Sequence, residues 1–161
     1  MKVLVPTEGS EFSKAAVKRC CKMFDESENT EIEILSVVEP VQRPTDPFGA
    51  PSEYIHDLNA AALKKATDVV DRAAEEIRKD YPDLGTQLTT KVLKGSPNQE
   101  IVEEAENWGA DLIVMGSHGY GFWRRSLLGS VSESVVHLAP CSVLVVKPSN
   151  GMAFHPVGRG L

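Results

Sequence analysis

Apolar positions along the chain follow two alternating periods. Short apolar runs, the pattern of strands buried on both faces of a parallel sheet, are found at residues 2–6, 31–38, 111–115 and 141–146. A further strand is predicted at residues 86–93, where apolar and polar residues alternate. Between these runs, apolar residues recur every three or four positions, which predicts amphipathic helices with one buried face. Four helical patterns are found: the first follows Ser10, the second spans residues 53–80, the third begins at Pro97 and the fourth begins at Ser130.

Residues at the predicted helix starts carry capping signals. Ser10 is predicted to be the N-cap of the first helix, because serine accepts hydrogen bonds from first-turn N–H groups. Ser96 with Gln99, and Ser130 with Glu133, have the spacing of a capping box, in which each side chain bonds the other residue's N–H.

The strands and helices alternate, which predicts a Rossmann-like, doubly wound parallel sheet with helices on both faces and right-handed crossovers. Its five strands are expected in the order 3-2-1-4-5. The third run, residues 86–93, alternates with polar residues and is typical of an edge strand. Such sheets bind ligands at the carboxyl ends of the strands, where the strand order reverses. The loops at residues 7–10 and 116–119 should therefore meet there.

Composition narrows the class of protein. The chain has 161 residues and is 42% apolar, which suits one domain, expected at residues 1–147, with a tail at residues 148–161. The net charge is −6 and no long basic run occurs, which argues against a nucleic-acid partner. No apolar run reaches the about 18 residues of a membrane span, and the first residues lack a signal-peptide pattern. We therefore expect no membrane partner and a cytoplasmic location.

Cysteine and histidine spacings do not suggest a metal site. The three cysteines form no C-x-x-C pair, which disfavours a disulfide framework and a zinc site. Burial of at least two is expected, with redox sensing by Cys20 and Cys21 as the alternative. The four histidines also lack metal-ligand spacing; they are His56, His118, His137 and His155.

The loop at residues 116–130 has features that suit a phosphate. Its glycines let backbone N–H groups approach an anion, and it ends at a helix start, where the free N–H groups and the dipole favour negative charge. Ser130 and Ser132 can add hydroxyl groups, and Arg124 or Arg125 can add positive charge. The alternative is a flexible loop followed by an ordinary helix.

Two familiar phosphate-binding patterns are missing: the chain has neither the P-loop sequence nor a dinucleotide fingerprint after its first strand. The spacing that is present, glycine, two residues, glycine, nine residues, glycine and serine, resembles the ATP-binding motif of the universal stress protein family. Gly116, Gly119, Gly129 and Ser130 match it without a gap. Flanking residues 5–10, apart from Glu8, 114–119, 128–133 and 140–147 are also similar, so the resemblance covers residues 1–147.

The resemblance implies a five-stranded parallel sheet that binds ATP, or AMP or ADP, at the switch point, with Mg²⁺ held mainly through the phosphates. It also implies a homodimer through the last strand, at Val143–Val146. The implied nucleotide-binding residues are Pro6, Thr7, Glu8, Val37, Met115, Gly116, His118, Gly119, Gly129, Ser130, Val131 and Ser132.

Roles within this set also follow from the resemblance. Pro6, Thr7 and the backbone near Val37 would frame the adenine. Gly116 would lie beside the ribose and α-phosphate, and the phosphates would be held by Gly119, Gly129, Ser130, Val131 and Ser132. Family members often have Asp where this chain has Glu8, whose longer side chain keeps the carboxylate that can accept ribose hydroxyls. For His118, turn geometry or a phosphate contact is expected rather than catalysis.

No nucleophile and base are recognisable as a pair, and no paired carboxylates occur in the site loops. We therefore predict a nucleotide-binding sensor or regulator of the stress response. The alternatives are a slow ATPase or nucleotidyl-transfer enzyme, and a dimeric interaction protein without bound nucleotide. Prolines also predict an irregular loop at residues 40–52, which is either functional or mobile.

Overall fold

The computed structural model describes residues 1–25, 29–42, 52–85, 87–119 and 128–148. Within these residues, five strands and five helices follow one another along the chain. They are β1 (Lys2–Pro6), α1 (Glu11–Phe24), β2 (Glu31–Val38), α2 (Ser52–Asp80), α3 (Pro82–Gly85), β3 (Leu88–Lys94), α4 (Pro97–Trp108), β4 (Leu112–Gly116), α5 (Ser130–Leu138) and β5 (Ser142–Val146).

The sheet has the predicted architecture. Its strands are all parallel and stand in the order β3-β2-β1-β4-β5, with β3 and β5 at the edges. The predicted strand at 86–93 begins and ends slightly later, at Leu88 and Lys94. The one-turn helix α3 was not predicted, because its four residues are too short to show a period.

Helices cover both faces of the sheet. Val3 and Val5 of β1 point to the layer formed by α1 and α2, while Leu4 points to the layer formed by α4 and α5. All three side chains are fully buried. The first apolar run of the sequence is therefore the central strand, and its continuous hydrophobicity follows from burial on both sides.

The two central strands separate at the switch point. β1 and β4 pair only through Val3 with Leu112 and Leu4 with Ile113. Beyond this pairing, β1 stays with β2, because the Thr7 N–H donates to the Leu35 carbonyl at 2.8 Å. In the same way β4 stays with β5 through a bond from the Ser117 N–H to the Val146 carbonyl, at 2.9 Å. A crevice therefore opens between the carboxyl ends of β1 and β4.

The helix starts confirm one capping prediction and overturn two. Ser10 caps α1, accepting a hydrogen bond from the Ser13 N–H at 3.2 Å. The Ser96 capping box was wrong: its hydroxyl donates to the nearer Asn98 Oδ1 at 2.6 Å, and no side chain caps α4. The Ser130 capping box was also wrong, because Gly129 is the N-cap of α5 and Ser130 is its first helical residue.

Cys20 and Cys21 lie on the buried face of α1, as expected from their place in its apolar stripe. Burial raises the pKa of both thiols, that of Cys21 to about 11, so both stay protonated near neutral pH. This argues against the redox-sensing alternative, which needs a thiolate. Among the described helices, none has the length and apolar character needed to cross a bilayer.

A buried carboxyl pair joins the sheet to α4. Glu33 of β2 and Glu104 of α4 are both buried, and Lys91 of β3 pairs with Glu104 at 2.6 Å. The Glu33 Oε1 atom has no hydrogen-bond partner among the described residues. Burial raises the pKa of Glu33, the neighbouring Glu104 raises it further, and Lys91 opposes the change.

We expect Glu33→Gln to stabilise the protein at alkaline pH. A raised pKa in the folded state means that ionised Glu33 costs stability at high pH, and that this cost disappears as the pH falls through the raised value. The variant should gain about 1 kcal/mol in unfolding free energy at pH 8. This gain in unfolding free energy should become smaller as the pH falls toward 4.5, the ordinary pKa of glutamate. Urea denaturation at several pH values measures both.

The matched control is Glu31→Gln, on the same strand at an exposed position. It should change the unfolding free energy by less than about 0.5 kcal/mol at every pH. An advantage of Glu33→Gln that stays constant with pH would contradict the raised pKa.

Candidate functional site

A cavity of about 290 Å³ opens at the carboxyl ends of β1, β2 and β4. All twelve residues implied by the resemblance line it, so two loops far apart in sequence meet as expected. The lining also includes three residues that the sequence analysis missed, Leu35, Pro97 and Ile101. Of these, Pro97 and Ile101 lie in the first turns of α4, whose rotation about its own axis decides which side chains reach the cavity.

The turn between β1 and α1 is held by hydroxyl groups. The buried Thr7 hydroxyl donates to Ser13 Oγ at 3.1 Å, and the Gly9 N–H donates to the same oxygen, also at 3.1 Å. Gly9 has φ of 87°, a left-handed conformation that other residues rarely adopt. This network fixes the backbone on both sides of Glu8.

Glu8 brings an unsatisfied acceptor to the cavity. Its buried Oε1 atom has no hydrogen-bond partner among the described residues. The same atom lies 3.5 Å from the position that a Cβ on Gly119 would occupy, so the carboxylate faces the loop after β4. A buried carboxylate oxygen without a donor fits a ligand that offers hydroxyl groups, as a ribose does.

Gly116 is required by packing. A Cβ on this residue would lie 2.7 Å from the carbonyl carbon of Phe12 and 2.9 Å from the backbone nitrogen of Ser13. The backbone of α1 therefore rests directly on the end of β4, and only glycine leaves the space for it. This structural role adds to the place beside the ligand that the resemblance implies for Gly116.

His118 is held by its surroundings. The residue is buried, and its ring centroid lies 5.2 Å from that of Phe12. Its Nδ1 atom is 3.1 Å from the Ser117 hydroxyl oxygen. The Ser117 carbonyl accepts a hydrogen bond from the Gly129 N–H at 2.8 Å, which ties the start of α5 to the end of β4. These contacts agree with a role for His118 in the geometry of the turn.

The N-terminus of α5 faces the cavity without a side-chain cap. The N–H groups of Ser130, Val131 and Ser132 have no acceptor one turn earlier in the helix, and the helix dipole adds partial positive charge there. The Ser132 hydroxyl is already committed, since it donates to the Gly116 carbonyl at 2.9 Å. Ser130 is exposed and keeps its hydroxyl for a ligand.

The cavity has apolar lining residues as well as these polar groups. Its apolar lining comes from the ends of β1, β2 and β4 and from α4, namely Pro6, Leu35, Val37, Pro97, Ile101 and Met115. Within the described lining, Glu8 is the only carboxylate and no lysine or arginine is present. Arg124 and Arg125 lie outside the described residues, as do residues 43–51 of the proline-rich loop and residues 149–161 of the tail.

The fold and cavity define a doubly wound α/β domain with an open cavity at its switch point. The model of the Universal stress protein family matches residues 1–147. The chain is also 38% identical over 147 residues to the universal stress protein MJ0531 of Methanocaldococcus jannaschii, covering 91% of this chain and 81% of that relative. The protein therefore belongs to the universal stress protein family.

Solved structures agree with this assignment. MJ0577 of the same organism is 32% identical and superposes with a TM-score of 0.70, over 92% of this chain and 96% of that protein. A family protein from Arabidopsis thaliana, solved with AMP bound, superposes with a TM-score of 0.66 at 20% identity, covering 91% of each chain. At 20% identity, the similarity to the Arabidopsis thaliana protein concerns the fold alone.

We expect Gly116→Ala to destabilise the fold, because the added methyl group would overlap the α1 backbone, which cannot move like a side chain. The expected loss is about 2 kcal/mol of unfolding free energy. Gly119→Ala is the control, since its Cβ would be at ordinary contact distance from Glu8. It should cost less than about 0.5 kcal/mol. Equal losses in thermal denaturation would contradict the packing role of Gly116.

Proposed function

We propose that this universal stress protein binds ATP, or a related adenine nucleotide, and acts as a sensor or regulator of the stress response. The observation that carries the proposal is that one cavity is lined by an uncapped helix N-terminus, by apolar residues and by Glu8, whose carboxylate is unsatisfied and lies near Gly119. An adenine nucleotide has a group suited to each of these features.

The N-terminus of α5 would hold phosphate groups. Each charge gains only about 0.3–1 kcal/mol from the helix dipole at an exposed site, so several donors must act together. The N–H groups of Ser130, Val131 and Ser132 and the Ser130 hydroxyl supply them. The described lining contains no cationic side chain, so a Mg²⁺ ion held through the phosphates would add neutralising charge to what these donors supply. We therefore propose that Mg²⁺ strengthens ATP binding.

The apolar lining residues and Glu8 would accept the base and the sugar. Six apolar residues form its wall, and a planar base can bury its faces against such a surface. Glu8 would accept hydrogen bonds from the ribose hydroxyls, which would satisfy its buried Oε1. The Arabidopsis thaliana relative has AMP bound, but at 20% identity the argument for this chain rests on its own residues.

A regulatory role suits the chemistry of the lining better than efficient catalysis. Glu8 and His118 are the titratable side chains among the described lining residues. His118 is packed against Phe12 and bonded to Ser117, an arrangement that fixes a turn. The cysteines are free, which suits a reducing compartment, and we propose a cytoplasmic location.

Calorimetric titration of the nucleotide-free protein with ATP and AMP, with and without Mg²⁺, tests nucleotide binding. Gly119→Val should lower the affinity for ATP at least about tenfold, because the methyl groups of valine would enter the space between the loop and Glu8. Gly119→Ala shows how much a single methyl group costs. If the unmodified protein binds neither nucleotide, the interaction-protein alternative replaces this proposal.

Ser130→Asp separates the phosphate position from the stability of the helix. A carboxylate in the first turn of α5 should stabilise the helix by about 0.5 kcal/mol. The same charge should repel the phosphates and lower the affinity for ATP about tenfold. Ser130→Asn is the neutral control of similar size. Unchanged ATP affinity in Ser130→Asp would place the phosphates away from α5.

We also propose a homodimer through β5. This edge strand keeps partial exposure along Val143–Val146, and α5 beside it exposes Val136 and Leu138, the latter to 63%. An apolar edge strand is a ready surface for pairing with a second copy.

Val145→Glu should convert the dimer to a monomer, since it places a charge on the pairing edge while the rest of β5 still packs on β4. Sedimentation velocity measures the change. Thr90→Glu, at an exposed position on the opposite edge strand β3, is the control and should stay dimeric. A monomeric unmodified protein at all concentrations would refute the proposed interface.

A further inference from the structure

A second cavity, of about 320 Å³, lies between α1 and α2, beside the turn at Thr7 and Gly9. We call it the α1–α2 groove. It is separate from the nucleotide cavity, although Thr7 lines both. The proposed nucleotide site uses none of the helix side chains that form this groove.

Four cationic side chains from two helices line the groove. Lys14 and Lys18 are one turn apart on α1, and Lys65 and Arg72 are two turns apart on α2, so each pair lies on one face of its helix. Glu76 is the single carboxylate of the described lining. The lining therefore carries an excess of three positive charges in a chain whose net charge is −6.

Three of these charges, on Lys14, Lys18 and Arg72, have little compensation from ion pairs in the described part of the chain. Lys14 lies 3.7 Å from Glu11, but both side chains are exposed, and such pairs contribute little. In the described part of the chain, neither Lys18 nor Arg72 forms an ion pair with a carboxylate. Like charges that converge in excess of their counter-charges repel one another, and a bound anion relieves that repulsion.

The floor of the groove is apolar. Val17 is buried, and Val69 and Ala73 are half-buried between the two helices. The volume is within the range of small-ligand sites. The groove can therefore take the body of a small molecule as well as its charges.

The flanking surface of α2 restricts the size of the anion. Asp68, Asp71 and Glu75 lie on the strip of helix surface next to the groove face, as their spacing along the helix requires. A long polyanion such as a nucleic acid would meet these carboxylates. A compact anion would meet only the groove.

We propose that the α1–α2 groove is a second ligand site, for a compact organic anion with at least two negative charges on an apolar body. The cations on the two helices hold the acidic groups from either side, and Val17, Val69 and Ala73 contact the apolar body. The proposal does not depend on nucleotide binding at the switch point.

The test uses pyranine, a fluorescent aromatic trisulfonate, as the probe in about 150 mM salt, where a Debye length of about 8 Å screens charges that lie outside the groove. The double variant Lys18→Glu with Arg72→Glu should weaken pyranine binding at least about tenfold. The control, Arg19→Glu with Lys64→Glu, makes the same charge change at exposed positions on the same helices but outside the groove. It should stay within about twofold of the unmodified protein.

Two further measurements locate the probe. Gly119→Val should leave pyranine affinity unchanged, and the amide signals of Gly9 and Val69 should shift in proton–nitrogen spectra on titration. No binding to the unmodified protein, equal weakening in both double variants, or loss of binding in Gly119→Val would each overturn the proposal.

Discussion

The short pairing of β1 with β4 is the constraint on which the rest of the structure depends. The two strands share only two residue pairs, and each then follows its outer neighbour, β1 with β2 and β4 with β5. Burial on both faces forces the strands together at Val3 and Leu4, while the opposite crossovers carry the chain away on either side. The cavity is therefore a consequence of strand order and needs no dedicated side chains to open it.

The elements around that cavity are fixed to one another through the end of β4. The α1 backbone rests on Gly116, the Ser132 hydroxyl of α5 bonds the Gly116 carbonyl, and the Gly129 N–H bonds the Ser117 carbonyl. The uncapped N–H groups of α5 thus point into a cavity whose shape is set before any ligand arrives. Preorganisation of this kind reduces the entropy lost on binding.

Sequence periodicity predicted the strands and the main helices, because burial on one or two faces leaves a direct mark on hydrophobic spacing. The strand order was predicted from the doubly wound topology that their alternation implies. Capping at Ser96 and Ser130 was mispredicted, because a cap depends on local geometry: the Ser96 hydroxyl bonds the nearer Asn98, and α5 begins one residue earlier than a Ser130 cap requires. Ile101 could not be placed at the site, because the rotation of α4 is set by packing. The α1–α2 groove joins Lys18 and Arg72, whose proximity exists only in the folded chain.

The packing of Gly116 affects what the presence of the glycine motif says about ligand binding in a related protein. Selection for a stable fold alone preserves this glycine, since any side chain would strike the α1 backbone. A descendant that gave up its ligand would still carry it, as a relic maintained by folding. Among the described residues, only the Glu8 carboxylate lies in front of Gly119, so packing would not preserve this glycine in the same way. The two glycines of one motif would therefore be retained for different reasons, Gly116 for the packing of the fold and Gly119 for the proposed nucleotide.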